Sequence, residues 1–193
     1  PRTMNIAPAE IERRLTGRTR AIVPVHFAGR PCAMDAIGAI AARHGLRIVE
    51  DCAHAIETVY HGRPAGTFGD FGCFSFYVTK NITTGEGGVV LTRREEDAAR
   101  IKTLALHGMS KDAWKRFGDQ GYKHYFVTDC GFKYNMTDMQ AALGLHQLPR
   151  VNAWLRRREE IWERYNCELA DTGLILPAEP EPHTTHARHL YTV

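Results

Sequence analysis

Strand and helix patterns alternate at close spacing through the first half of the chain, and this alternation narrows the possible folds more than any other feature. Ala21-Ile-Val-Pro-Val-His26 is a short buried run. The segment from Met34 to His44 carries Met34, Ile37, Ile40 and Ala41 on one helical face, with Gly45 just past its end as a cap. A second strand, Leu46-Arg-Ile-Val-Glu50, leads into Asp51. Strand, helix and strand at this spacing predict a right-handed crossover, hence a parallel sheet with helices on its faces. Ligands in such sheets sit beyond the carboxyl ends of strands. Asp51 and the segment after Phe76 lie at two such ends.

Downstream, Gly62, Gly66, Gly69 and Gly72 mark turns, followed by a strand over Val89 to Thr92 and a helix from about Arg94 to Leu106. His107 to Gly131 is long for a loop, which suggests a functional excursion or a contact with a partner chain. Thr137 can cap a helix starting at Asp138. A further amphipathic helix, Val151 to Leu169, groups Leu155, Ile161, Trp162, Tyr165 and Leu169 on its apolar side and leaves Arg156 to Glu160 as a solvated charge run. Pro177 to Pro182 reads as a linker, and His189 to Val193 as the start of a strand.

Composition excludes several classes. The 193 residues are 44% hydrophobic and 24% charged, enough for a sizeable core. A net charge of +3, from 25 basic against 22 acidic residues, gives no footprint for a nucleic-acid groove or an anionic membrane. Cys32, Cys52, Cys73, Cys130 and Cys167 are odd in number and form no C-x-x-C pair, so they read as thiols in a reducing compartment. With no signal peptide and no apolar stretch of spanning length, a cytoplasmic location is expected.

Lys80 ends the apolar run Phe71-Gly-Cys-Phe-Ser-Phe-Tyr-Val-Thr-Lys80 and precedes Asn81-Ile-Thr-Thr-Gly-Glu-Gly-Gly88. An amine on a turn after a buried strand can be desolvated and attack a carbonyl, although most such lysines are surface groups. Asp51 either caps a helix starting at Cys52 or faces a ligand; His54, three residues on, reads on its own as a satisfied buried histidine. Together Lys80 and Asp51 suit pyridoxal phosphate, which needs a lysine for its Schiff base and a carboxylate to keep its ring nitrogen protonated. Ser75 can supply a hydroxyl to the phosphate, with Asn81, Thr83 and Thr84 nearby, though serine and threonine around glycines usually just build turns. His183, His186 and His189 are close in sequence, but their spacing does not put them on one face, and no metal is expected.

Four segments, Ile48-Val-Glu-Asp-Cys-Ala-His-Ala55, Gly66-Thr-Phe-Gly-Asp70, Phe74-Ser-Phe-Tyr-Val-Thr-Lys-Asn-Ile-Thr-Thr-Gly-Glu-Gly-Gly88 and Gly131-Phe-Lys-Tyr-Asn-Met-Thr-Asp-Met-Gln-Ala-Ala-Leu-Gly144, resemble the DegT/DnrJ/EryC1/StrS sugar aminotransferases. The resemblance implies an α/β, three-layer, fold-type I large domain with a mostly parallel central sheet, truncated at both ends. Residues 1–176 would be the central part of the pyridoxal phosphate-binding large domain, and 177–193 a linker with the first strand of an otherwise absent small domain. Faces that the missing segments cover would be left apolar and exposed.

By the same resemblance, Lys80 matches the Schiff-base lysine, Asp51 the partner of the ring nitrogen, His54 a residue near the cofactor ring or its phenolic oxygen, and Ser75 a phosphate ligand. Asn135 matches an asparagine that reaches the phosphate of the neighbouring subunit, so a homodimer with a shared active site is implied. The implied reaction moves an amino group from an amino acid, glutamate by expectation, to a nucleotide-linked keto sugar. Met109 to Lys123 is a candidate sugar-contacting loop, and His107-Gly108 a turn. The rival within the family is a sugar dehydratase, in which histidine replaces the lysine; Lys80 favours transamination. A rival from another class is a non-catalytic module that keeps the fold, which the set Asp51, Ser75, Lys80 and Asn135 opposes.

Overall fold

The crossover expected over residues 21–51 is present. In the computed structural model, which describes residues 2–110 and 125–193, β1 (Ala21–Ile22) and β2 (Arg47–Asp51) pair in parallel on either side of α2 (Met34–His44) in sequence. β1 is shorter than its apolar run because Pro24 has no N–H for the ladder. The chain rejoins the ladder at Val25, which bridges Asp51. Gly45 ends α2 in the left-handed conformation, φ 61°, and its N–H bonds back to the last carbonyls.

β5 (Phe71–Ser75) pairs in parallel with β2, and β6 (Gly88–Thr92) completes the order β1-β2-β5-β6. Met34, Ile37, Ile40 and Ala41 of α2 pack with Ile22, Ile48 and Cys32, and with Ile11 from α1 (Pro8–Arg14), in the main core. Burying each large aliphatic side chain there contributes about 1.5–3 kcal/mol. Val89, Val90 and Leu91 of β6 are all about 40% exposed. Successive strand residues face opposite ways, so both faces of β6 are partly open.

A smaller antiparallel sheet has the order β4-β3-β7, from β3 (Val59–Tyr60), β4 (Arg63–Pro64) and β7 (Thr184–Thr185). The β3-β4 hairpin turns through His61 and Gly62, both at positive φ, as a two-residue loop of the primed type requires. β7 brings the C-terminal segment back to the body. Residues 186–193 carry no regular secondary structure, yet Ala187 N–H donates to Gly29 O and His189 N–H to Ala28 O, each at 3.0 Å.

α4 (Asp138–Gln147) begins where the sequence places it and leads through a 3-10 turn into α5 (Val151–Leu169). The inward face of α5 differs from expectation. It carries Val151, Leu155 and Trp162, while Ile161 and Tyr165 are exposed, and Arg158 turns in from a charge run expected to be solvated. The reason is a buried acceptor, Glu57, which binds the Arg158 guanidinium.

These elements form one compact unit, Pro1–Leu91 with Asp138–Val193; Thr92–Thr137 form a second. The second unit holds α3 (Glu95–Ala105), whose acidic first turn suits the positive end of the helix dipole. Short antiparallel bridges, Leu106 with Lys133 and Met109 with Val127, join the described ends of what the sequence shows as a long loop. Gly108 is needed at its turn: φ is 70°, and a Cβ there would lie 1.9 Å from Asp129 O. This bears out the turn reading of His107-Gly108. The rest of the candidate sugar loop, with Trp114, Gly118 and Gly121, lies outside the described residues. Among the described residues no helix is long and apolar enough to cross a membrane.

Candidate active site

Alternation along β2 sends its last two residues to opposite faces. Ile48 and Glu50 are buried on one side; Val49 and Asp51 face the other and are half-buried. Asp51 is in register with Cys73 of β5, so Cys73 and Ser75 share its face. The Asp51 carboxylate accordingly adds to the upward shift of the Cys73 thiol, which burial mainly causes. Asp51 Oδ1 also accepts the Ala53 N–H at 3.0 Å. That is the local bond a capping aspartate makes, but no helix starts at Cys52.

A cleft opens beyond these strand ends, with His54, Ser75, Phe76, Lys80, Asn81 and Ile82 among its walls. Lys80 sits in a turn in which its N–H donates to Tyr77 O at 2.9 Å, and its side chain is half-buried. The Ser75 hydroxyl accepts the Tyr77 N–H at 3.3 Å, which leaves its proton available to an anion. Asn81, Thr83 and Thr84 are otherwise engaged. Thr83 and Thr84 hydroxyls donate to Phe76 O and Glu86 O inside the turn, and the Asn81 amide is bound on both its atoms.

His54 ties this cleft to Asp51. Its Nδ1 accepts the Ala28 N–H at 3.2 Å. Burial holds its pKa below the ordinary histidine range, the positive charge of Lys80 adds to that, and Asp51 opposes it. One imidazole therefore feels both charged groups. The structure thus brings Lys80, Ser75 and His54 to one cleft, with Asp51 on the same sheet face as Ser75 and within electrostatic reach of His54. Asn135 belongs to the second unit, where Lys133 Nζ donates to its side-chain oxygen.

On the opposite face, Glu50 builds a buried knot that the sequence does not announce. Its carboxylate takes the His26 ring at 3.1 Å and the N–H groups of Gly66, Phe68 and Gly69 at 2.7–2.8 Å. His26 Nδ1 in turn accepts the Cys32 N–H at 3.0 Å, so the ring proton lies on Nε2, toward Glu50. His26, Glu50 and Cys52 are close enough to suggest a metal site. The donor set argues against one: both His26 nitrogens and both Glu50 oxygens have partners, and burial pushes the Cys52 thiol up, away from the thiolate a metal needs.

Comparison with known proteins matches the model of the DegT/DnrJ/EryC1/StrS aminotransferase family over residues 1–193. The chain belongs to that family. Spore coat polysaccharide biosynthesis protein SpsC of Bacillus subtilis is 50% identical over 192 residues, 99% of this chain and 49% of SpsC. Among solved structures, the aminotransferase TlmJ from Streptoalloteichus hindustanus superposes with a TM-score of 0.90 at 34% identity, covering 99% of this chain and 50% of TlmJ. The PLP-form of Spr1654 from Streptococcus pneumoniae gives 0.87 at 31% identity, over 98% of this chain and 51% of that one. The chain spans about half the length of these relatives. The fold is that of the fold-type I aminotransferases, as the sequence motifs imply.

Proposed function

We propose that the protein transfers an amino group from an amino acid, glutamate by expectation, to a nucleotide-linked keto sugar, with pyridoxal phosphate as cofactor. The observation that carries this reading is the meeting of Lys80, Ser75 and His54 at one cleft, with the Asp51 carboxylate on the same sheet face. A lysine for the Schiff base and a carboxylate for the ring nitrogen are what this cofactor requires, the Ser75 hydroxyl has a proton to give its phosphate, and the sugar-aminotransferase family makes that chemistry the natural one. When bound, the cofactor supplies an electron sink for the charge left as a proton leaves carbon.

The chain's own residues do the rest. Lys80 would hold the cofactor through Nζ, and the same amine, when free, would take the proton from the substrate carbon. Asp51 would hold a proton at the ring nitrogen. Ser75 would donate to the phosphate, and Asn135 would reach the phosphate held by a second copy.

The test is chemical trapping in the full-length protein. Cofactor is added, the visible spectrum recorded, and the adduct reduced with borohydride and located by mass spectrometry. The expected label is on the peptide containing Lys80, and Lys80→Ala should abolish it. A label on another lysine, or no visible absorbance in the wild type, overturns the proposal.

A further inference from the structure

We propose that His189 is a positioning residue for the Lys80 cleft, gripping His54 with its ring face and Asn81 with its Nδ1–H. The inference deepens the aminotransferase reading and rests on it for its catalytic consequence. Asn81 is the residue next to Lys80. The Asn81 side-chain nitrogen faces two acceptors, Glu57 Oε2 at 2.8 Å and Ala187 O at 3.3 Å, and this fixes the orientation of the amide. Its oxygen is then the atom 2.7 Å from His189 Nδ1. An amide oxygen only accepts, so the His189 proton must be on Nδ1.

His54 holds its proton on the other nitrogen, because its Nδ1 accepts from Ala28. The two rings stack with centroids 4.3 Å apart and 28° between planes. Two neutral imidazoles of opposite tautomer therefore lie face to face beside the lysine. Both stay neutral near pH 7: burial pushes His189 down to about 4, with His54, Lys80 and Arg158 adding to it, and burial lowers His54 as well.

The grip is anchored twice. Ala28 is held from both sides, its N–H by the His54 ring and its carbonyl by the His189 N–H. Glu57, whose side chain is 1% exposed, binds Asn81 on one oxygen and Arg158 of α5 on the other, while Arg158 Nε donates to Ala187 O at 3.1 Å. A buried ion pair with all its oxygens used is expensive to rearrange. It locks the residue after Lys80, and the segment carrying His189, to the same helix. In the sequence that segment reads as a linker and the start of a strand.

The test uses the full-length protein. First, with cofactor removed, long-range proton–nitrogen spectra of 15N-histidine-labelled protein at pH 7 should show His189 protonated on Nδ1 and His54 on Nε2. In Asn81→Ala, which removes the acceptor, His189 should shift toward the Nε2–H form that free imidazole side chains prefer. Second, His189→Phe keeps a ring to stack and loses the donor, whereas His189→Asn keeps a donor near the Nδ1 position. His189→Phe should lower kcat by about tenfold or more, with KM for the amino donor within about twofold of wild type, and His189→Asn should recover most of the loss. A His189 proton on Nε2 in the wild type, or an unchanged kcat in His189→Phe, overturns the inference. The spectra need no cofactor, so a protein that failed to bind pyridoxal phosphate would sink the functional reading while leaving the tautomer result legible.

Discussion

Glu50 and Asp51 are adjacent, alike in charge and opposite in task. Glu50 is fully buried, and burial alone would push its carboxyl up; the His26 bond and the Gly69 and Gly66 amides outweigh that and hold it below the ordinary range. Glu50→Gln would turn an NH2 group toward these donors. We expect it to destabilise the protein by about 3 kcal/mol in urea unfolding, and an unchanged midpoint would remove Glu50 from the fold's anchors. Asp51→Asn should leave stability nearly unaltered and the trapped Lys80 adduct intact, while transamination falls by about two to four orders of magnitude. Retained turnover would free Asp51 of its assigned role. Asp51 is legible in sequence because it ends a β-branched strand where ligands sit. Glu50 is not, because apart from His26 its partners are main-chain amides, and nothing in a sequence marks which amides converge.

Among the elements, α2 follows its periodicity to the residue, and β2, β5 and β6 fall where apolar runs place them. α5 exists as expected, but its inward face is set by Arg158, whose partner Glu57 lies 101 residues away. A charged residue within a charge run reads as solvated until that partner is known. Backbone contact between elements was equally hidden. Gly72 of β5 faces the turn at Gly66, and a Cβ on it would lie 2.3 Å from Gly66 O and 2.4 Å from Gly66 Cα. Both are backbone atoms and cannot swing away. Gly72→Ala should therefore cost about 3 kcal/mol or more, whereas Gly17→Ala, with nothing within 4 Å of its Cβ, should stay within about 0.5 kcal/mol. Equal urea midpoints for the two variants would show that the Gly66–Gly72 approach is looser than the structure has it.

Neutral buried histidines join the C-terminal segment to the body, and they set how stability responds to acid. Burial, with Arg188 and Arg30 nearby, pushes His186 down to about 3, and His189 sits at about 4. In the unfolded chain both take up a proton near pH 6.5. Between about pH 6.5 and 4 the unfolded state thus binds more protons than the folded one, so stability rises with pH across this window and is lost on acidification. Glu50 acts in the same direction but lower, since its contribution is lost only as pH falls below the ordinary glutamate range. The slope from His186 can reach about 1.4 kcal/mol per pH unit. His186→Phe keeps a ring against Trp162, whose centroid lies 5.1 Å from that of His186, and removes the titrating group. Urea midpoints measured from pH 7.5 to 5 should fall steeply for the wild type and clearly less for His186→Phe, even if the variant starts lower through loss of the Arg188 N–H bond to His186 Nδ1. Parallel curves for the two proteins would mean that His186 protonates without cost, and that the C-terminal segment opens to water before the rest of the fold gives way.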